Sequence, residues 1–344
     1  MLNIYPNTYE AIYDNDYLPF FYPFWGKKTN DDAVIYDSYI TCANESFSLT
    51  SIDNADIGIF PFDLTHTINN KEKADDCRVF LEKCKNYDLP AVTFFHNDYE
   101  GKIGFSGSFV FRTSLSGIKK LQNEHSMPAW TDDFLMKFFH GNHSPRNKND
   151  VPVVGFMGLV VGSKWPKIQK KIFDTRCTIT GTPEAKSQYS ITRARALKHL
   201  MKSQGIIKNI HMRKTFWGGL QNKVEKSLQQ REFVQNIVNS DYTLCARGAG
   251  NFSYRLYETL CCGRIPIFIN TDCVLPFNDI INWKDLCIWV EEEEIPDIAD
   301  IIIGFHQSIS NSRFIDMQKK CREVWENYLS PLGFYTHMSH YFPL

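Results

Sequence analysis

Apolar residues gather in short runs separated by stretches of helical spacing. ADIGIFPF (55–62) and AVTFFH (91–96) are two such runs, and polar residues follow each. Runs of this length and ending predict buried strands. Between them, KEKADDCRVFLEKCKNY (71–87) has helical periodicity and predicts a helix with Val79, Phe80 and Cys84 on one side. Strand, helix, strand predicts a β-α-β unit and hence a parallel sheet. SFVFRTSL (108–115) predicts a further strand.

The segment FFHGNHSPRNKND (138–150), rich in Asn, Pro, Gly and charge, predicts a linker. After it the alternation resumes. VPVVGFMGLVVG (151–162) predicts a buried strand, 165–174 a helix, and KSQYSITRARALKHLMKSQ (186–204) a long cation-rich helix. REFVQNIVNS (231–240) predicts a helix, YTLCAR (242–247) a strand, SYRLYETLCCG (253–263) a helix ending at Gly263, and RIPIFI (264–269) a strand. The acidic run Glu291–Glu294 predicts a solvated loop or a helix start. The pattern is that of two doubly wound α/β halves. The division it implies is a first domain over 1–148 and a second over 149–330. A tail, 331–344, would pack back on the first.

Composition narrows the function. The chain has 344 residues, enough for two cores, with 43% hydrophobic and 14% aromatic residues. Its formal net charge is −1. No global basic field exists to hold nucleic acid or an anionic membrane, so positive charge for a phosphate must be local. Ten cysteines occur, but their spacings, such as Cys77 to Cys84 or Cys261 beside Cys262, match no zinc site. The N-terminal residues lack the basic and apolar regions of a signal peptide, and no stretch reaches the ~18 apolar residues of a spanning helix. The thiols are therefore expected to be reduced and the protein cytoplasmic.

Residues 242–277, YTLCARGAGNFSYRLYETLCCGRIPIFINTDCVLPF, concentrate the chemistry. A strand gives way to a loop with Gly248 and Gly250, and Asn251 and Ser253 open a helix. Free N–H groups at a helix start form an anion pocket. Arg247 and Arg255 flank it with bidentate forks suited to phosphate. Glu258, three residues beyond Arg255, can accept hydrogen bonds from ribose hydroxyls. The same two residues also fit a plain surface pair at i, i+3. Of Tyr254 and Tyr257, either can stack on a base while the other faces the core.

The run CARGAGNFSYRLYETLCCGRIPIFI, followed by DCVLPF and by WKDL at 283–286, resembles the C-terminal signature of exostosin-type glycosyltransferases. In that family an R-G loop, an R-L-[FY]-[DE] helix, a G-x-I-P-V strand and an L-P-F turn occur in this order. The match spans roughly 231–320. NADIGIFPFD, MPAWTDDF and VPVVGFMG resemble N-terminal and mid-chain segments of the family more faintly. The family's arginine in the helix after that glycine has no counterpart in GSKWPKIQKK, where Lys164 or Lys167 would have to supply the cation. The resemblance implies an α/β fold of two facing Rossmann-like domains of GT-B type with a cleft between them, the N-terminal domain (1–148) binding the acceptor and the C-terminal one (149–330) the nucleotide-sugar. It implies inverting, metal-free transfer from a UDP-sugar to an oligosaccharide or glycoconjugate acceptor, with no cofactor. Many eukaryotic members are Golgi-anchored, so a chain without an anchor is expected to be a bacterial or viral relative.

Inversion needs a base, and Asp63 is the first choice because it directly follows the strand at 57–62. His66 and Asp98 are alternatives. Asp63 also suits a helix cap, and His96 a satisfied half-buried histidine. Arg213 and Lys214, in HMRKTFWGG, are further diphosphate candidates or a solvated loop pair. The D-x-D at Asp14-Asn15-Asp16 follows no strand and is set aside as a metal site. A fucosyltransferase-like enzyme using GDP-fucose would carry an acidic E-N loop where this chain has R-G-x-G. A catalytically inactive glycan-binding relative is the rival from another class.

Overall fold

The computed structural model describes residues 1–7, 17–27, 34–68, 70–105, 107–160, 185–213 and 223–342. Asp14, Asp16, Lys164, Lys167, Lys214 and the helix expected at 165–174 lie outside them. The chain divides into two compact units, both Rossmann-like. Unit 1 comprises Met1–Asp132, Val274–Phe277 and Glu326–Leu344, and unit 2 comprises Asp133–Cys273 and Asn278–Trp325.

Unit 1 is built on a six-stranded sheet of β1 (Leu2–Pro6), β2 (Phe47–Leu49), β3 (Ile57–Asp63), β4 (Ala91–Phe95), β5 (Phe109–Arg112) and β6 (Glu124–Ser126). The order is β2-β1-β3-β4-β5-β6 and every pairing is parallel. Strands β3 and β4 are buried along almost their whole length because helices cover such a sheet. One covering helix, α1, runs Asp37–Ser46, and α2, Lys71–Asn86, starts where the Asn70 side chain accepts the Lys73 N–H at 3.1 Å. Its inner face is Ala74, Cys77, Phe80, Leu81 and Cys84. Val79, expected on that face, is 62% exposed. It sits about 100° round the helix from Phe80, and a lone surface valine costs little.

Strand β3 contains Pro61, which has no N–H for a ladder. The register between β3 and β4 slips there: Ile59 faces Val92, yet Asp63 faces Phe94. This bulge brings Asp63 to the end of β4. Between β5 and β6, the fully buried Arg112 and Glu124 form an ion pair at 2.6 Å. The C-terminal helix Pro331–His337 packs aromatic rings into the unit, with Tyr335 4.6 Å from Tyr39 and 5.2 Å from Phe20.

Unit 2 starts with α3 (Phe134–Phe139), capped by the Asp133 side chain. Its elements then run β7 (Val153–Leu159), α4 (Ala185–Lys202), β8 (Ile207–Arg213), α5 (Lys223–Val238), β9 (Tyr242–Cys245), α6 (Tyr254–Cys261), β10 (Ile265–Asn270), β11 (Ile288–Glu291), α7 (Ile298–Ser308) and α8 (Asn311–Val324). The five-stranded parallel sheet has the order β11-β10-β9-β7-β8. The direction of winding reverses between β7 and β9, the switch point at which open α/β sheets admit ligands.

Residues 142–150 carry no regular structure but are fastened down. Lys148 Nζ donates to the carbonyls of His306 and Ile309 at 2.7 and 2.6 Å, and buried Asp241 accepts from Asn149 Nδ2 and the Val153 N–H at 2.9 Å. Gly263 follows α6 with φ +56, the left-handed position that ends a helix most cheaply in glycine. The acidic run is a helix start. Glu291 and Glu294 form a capping box, and Glu291 also accepts from Asn270 Nδ2 at 2.6 Å and Trp289 Nε1 at 2.7 Å. Among the described cysteines none is disulfide-bonded, and most are buried. Among the described residues no helix is long and apolar enough to cross a membrane.

Candidate functional site

The switch point of unit 2 holds two guanidinium groups. Arg255, on the first turn of α6, donates from Nη2 to the Met157 carbonyl in β7 at 2.8 Å. Its planar head lies 4.4 Å above the Phe156 ring. Arg193, on α4, donates to the Leu159 carbonyl at 3.0 Å and to the carbonyls of Ala246 and Arg247 at 3.2 and 3.1 Å. It therefore pins the end of β7 to the loop after β9. Its head sits 6.0 Å from the same Phe156 ring.

Neither arginine has a carboxylate within ion-pair distance among the described residues, and the Nε–H of each is buried without a partner. Of five guanidinium donors, Arg255 spends one on Met157. Burial lowers the pKa of both, and each lies in the other's field or that of Arg213. Arg193 is pulled down to about 9, first by burial and then by Arg255. Arg255 is lowered by burial, partly offset by Glu258. Both stay charged at neutral pH. Two desolvated like charges at one sheet edge are a costly arrangement that an anion would relieve.

Glycine makes this possible at one position. A Cβ on Gly158 would stand 2.5 Å from Arg255 Nη2, so β7 can receive the guanidinium only because residue 158 has no side chain. The helix start adds to the field. Ser253 is the N-cap of α6, and its side chain makes no cap hydrogen bond. The first N–H groups of the helix and its positive end therefore lie beside Arg255.

Glu258 lies one turn further along α6, half-buried. Its carboxyl has no hydrogen bond or ion pair from any described residue, and burial, against the pull of Arg255, raises its pKa to about 7. This is not the plain ion pair that the spacing also allowed. An unspent carboxyl group beside unspent guanidinium donors can bind a sugar hydroxyl next to a phosphate.

The remaining expected residues have definite places. Arg247 is buried at the end of β9. Gly248 accepts no bulk burden of its own: its N–H donates to the Phe252 carbonyl at 3.2 Å, closing the Gly248–Gly250 loop. Asn251 is fully engaged, donating to the carbonyls of Thr271 and Asp272 and accepting from Thr271 Oγ1 at 2.7 Å. It ties the loop to the end of β10. Tyr257 is the tyrosine that faces the core, and Tyr254 is exposed. Arg213 is the last residue of β8 rather than a loop residue, with Nη2 3.1 Å from Met157 Sδ and 3.9 Å from Glu232. Sequence reasoning missed Arg193. It lies in the cation-rich helix α4 and supplies an arginine after the first strand of unit 2, the position for which Lys164 and Lys167 were considered.

In unit 1, Asp63 caps a single helical turn, Leu64–Thr67, accepting the Thr65 N–H at 2.7 Å. It also accepts the His96 N–H at 3.2 Å and contacts His96 Nδ1. Burial pushes its pKa up, but the His96 and Thr65 hydrogen bonds outweigh this and the net shift is down. A carboxylate so occupied is a weak base. His66 is exposed on the capped turn, and Asp98 is half-buried beyond β4. Among the described residues no cluster of His, Cys, Asp and Glu could hold a metal ion.

Comparison with known proteins bears on this geometry. Residues 122–303 match the family described as Exostosin GT47 domain. The chain is 32% identical over 96 residues to Exostosin-1 of Drosophila melanogaster, covering 28% of this chain and 12% of that protein. It is 32% identical over 106 residues to Exostosin-2 of Bos taurus, 30% of this chain and 14% of that one. It is 33% identical over 70 residues to a probable glucuronosyltransferase of Oryza sativa subsp. japonica, 20% of this chain and 17% of that one. The chain thus spans less than a fifth of the length of each of these relatives. With the family profile covering more than half of its residues, the chain belongs to the exostosin GT47 family.

Proposed function

We propose that the protein is an inverting glycosyltransferase. It moves a sugar from a nucleoside-diphosphate sugar, UDP-linked, to a hydroxyl of a glycan or glycoconjugate. The observation that carries this reading is the pair of guanidinium groups at the β7/β9 switch point. They are desolvated, lack carboxylate partners among the described residues and lie beside an uncapped helix start. When the anomeric bond breaks, charge develops on the leaving diphosphate. Preorganised cations and backbone dipoles stabilise that charge without reorganising. Arg255 has donors to spend on the phosphate oxygens, Arg193 fixes the strand ends and adds its field, and Glu258 accepts from the ribose. The family's glucuronosyltransferase relatives support sugar transfer as the reaction class.

Leaving-group charge can also be met by a divalent cation. In this reading the guanidinium groups and the positive end of α6 do that work. The test is a panel of UDP- and GDP-sugars assayed for nucleotide release with and without chelator. Consumption of a UDP-sugar in EDTA is the expected result. Binding of neither nucleotide would overturn the reading, and strict dependence on a divalent cation would overturn its metal-free part.

A further inference from the structure

The carboxyl edge of the unit 1 sheet carries a carboxylate–imidazole pair. The slip in the β3/β4 register sets Asp63 against the residue that follows β4, His96. The carboxylate takes the Thr65 and His96 backbone N–H groups and a short contact from His96 Nδ1. Asp63 is 12% exposed and His96 31%. An ionised carboxylate only accepts, so Nδ1 must carry a proton. With the proton on Nδ1, Nε2 is the ring's other nitrogen, and it makes no hydrogen bond with any described residue. Phe94 stacks on the ring at 6.2 Å, and Trp130 leans on it at 5.5 Å. The imidazole is thus fixed in tautomer and in orientation, with its basic nitrogen on the open side.

We propose that His96, rather than Asp63, is the general base that takes the proton of the acceptor hydroxyl, with Asp63 as its positioning residue. This rests on the glycosyl-transfer reading above. In the step, the Nε2 lone pair accepts the hydroxyl proton and the freed oxygen pair bonds to the anomeric carbon. The bond from that carbon to the diphosphate oxygen breaks, and its electron pair leaves with the nucleoside diphosphate. The imidazolium that forms is held by the Asp63 carboxylate, the division of labour of a histidine–aspartate pair. Among the described residues the other titratable groups near the pair are His66 on the turn that Asp63 caps, Tyr335, whose buried hydroxyl is kept protonated by burial, Tyr36 behind Trp130, and Asp98 two residues on.

The test combines kinetics with a readout independent of turnover. Nitrogen-15 NMR of the His96 ring at pH 7.5 is expected to show Nδ1 protonated and Nε2 bare, with the Nδ1 proton signal lost in Asp63→Asn. His96→Gln is expected to lower kcat about 1,000-fold, within the range of a lost general base, and to erase the acid limb of the pH–rate profile. Its affinity for UDP, a property of unit 2, should not change. Asp63→Asn should lose less, about 10- to 100-fold, and keep an acid limb moved to lower pH, because the anion favouring imidazolium is gone. The opposite tautomer, or full turnover by His96→Gln, would overturn the assignment and leave sugar transfer standing. A wild-type protein that consumes no sugar nucleotide would remove the transfer reading, and the base assignment with it.

Discussion

Units 1 and 2 wind their sheets alike, with the first strand between the second and the third, yet their carboxyl edges handle charge in opposite ways. In unit 1 the charged groups have partners: the Asp63 carboxylate accepts from Thr65 and His96, and Arg112, the last residue of β5, is paired with Glu124. In unit 2 the charge is left over, with Arg193 and Arg255 near each other and neither in a carboxylate ion pair. A matched pair orients something; an unmatched one waits for a counter-charge. The ligand's sign can be read from which side chains the fold declines to neutralise.

The largest effect should come from breaking the unmatched side. Arg255→Ala is expected to weaken UDP binding at least ~100-fold, the loss of one or two charge-assisted hydrogen bonds. The melting temperature should stay the same or rise, because a desolvated cation is removed. Isothermal titration calorimetry and thermal unfolding on the same sample check both parts.

A smaller effect is expected from Gly158→Ala. The new methyl group must displace the Arg255 head, the far end of a flexible side chain, by its 2.5 Å approach to Nη2. UDP affinity should fall about 10-fold while stability changes by less than ~1 kcal/mol. An unchanged affinity would show that the guanidinium position seen here is not the one that binds.

The smallest effect concerns Glu258. Its folded pKa, about 7, exceeds the unfolded value of 4.5. The unfolded chain therefore releases this proton first, and stability falls as pH rises from about 4.5 to about 7, with the full penalty above. Partial exposure screens the shift, so ~1–2 kcal/mol is a fair discount on it. Glu258→Gln should raise the melting temperature at pH 8, leave it unchanged at pH 4, and weaken UDP binding at both. Equal stabilisation at both pH values would mean that charge is not the cause.

The sequence made the central strands legible because both faces of β3, β4, β9 and β10 are buried and their runs are continuous. Strand β8, IKNIHMR, escaped because an edge strand with exposed Ile207 and Met212 shows no clean apolar run. Strands β2 and β6, three residues each, are too short for any period to register. In the site, the loop and the start of α6 were legible as local chemistry, since Arg255 and Glu258 sit on one helix. Arg193 was not, because a half-buried arginine in α4 looks like its exposed neighbour Arg195 until the helix is docked. The Asp63–His96 contact was hidden for another reason. It spans 33 residues and depends on the register slip near Pro61, which no local pattern encodes.

The most direct measurement is UDP binding by calorimetry in EDTA, comparing the wild-type protein with the Arg193→Ala/Arg255→Ala double variant. Metal-free binding by the wild type and none by the folded double variant is the expected result. Equal binding by both proteins, or wild-type binding that appears only when a divalent cation is restored, would contradict it.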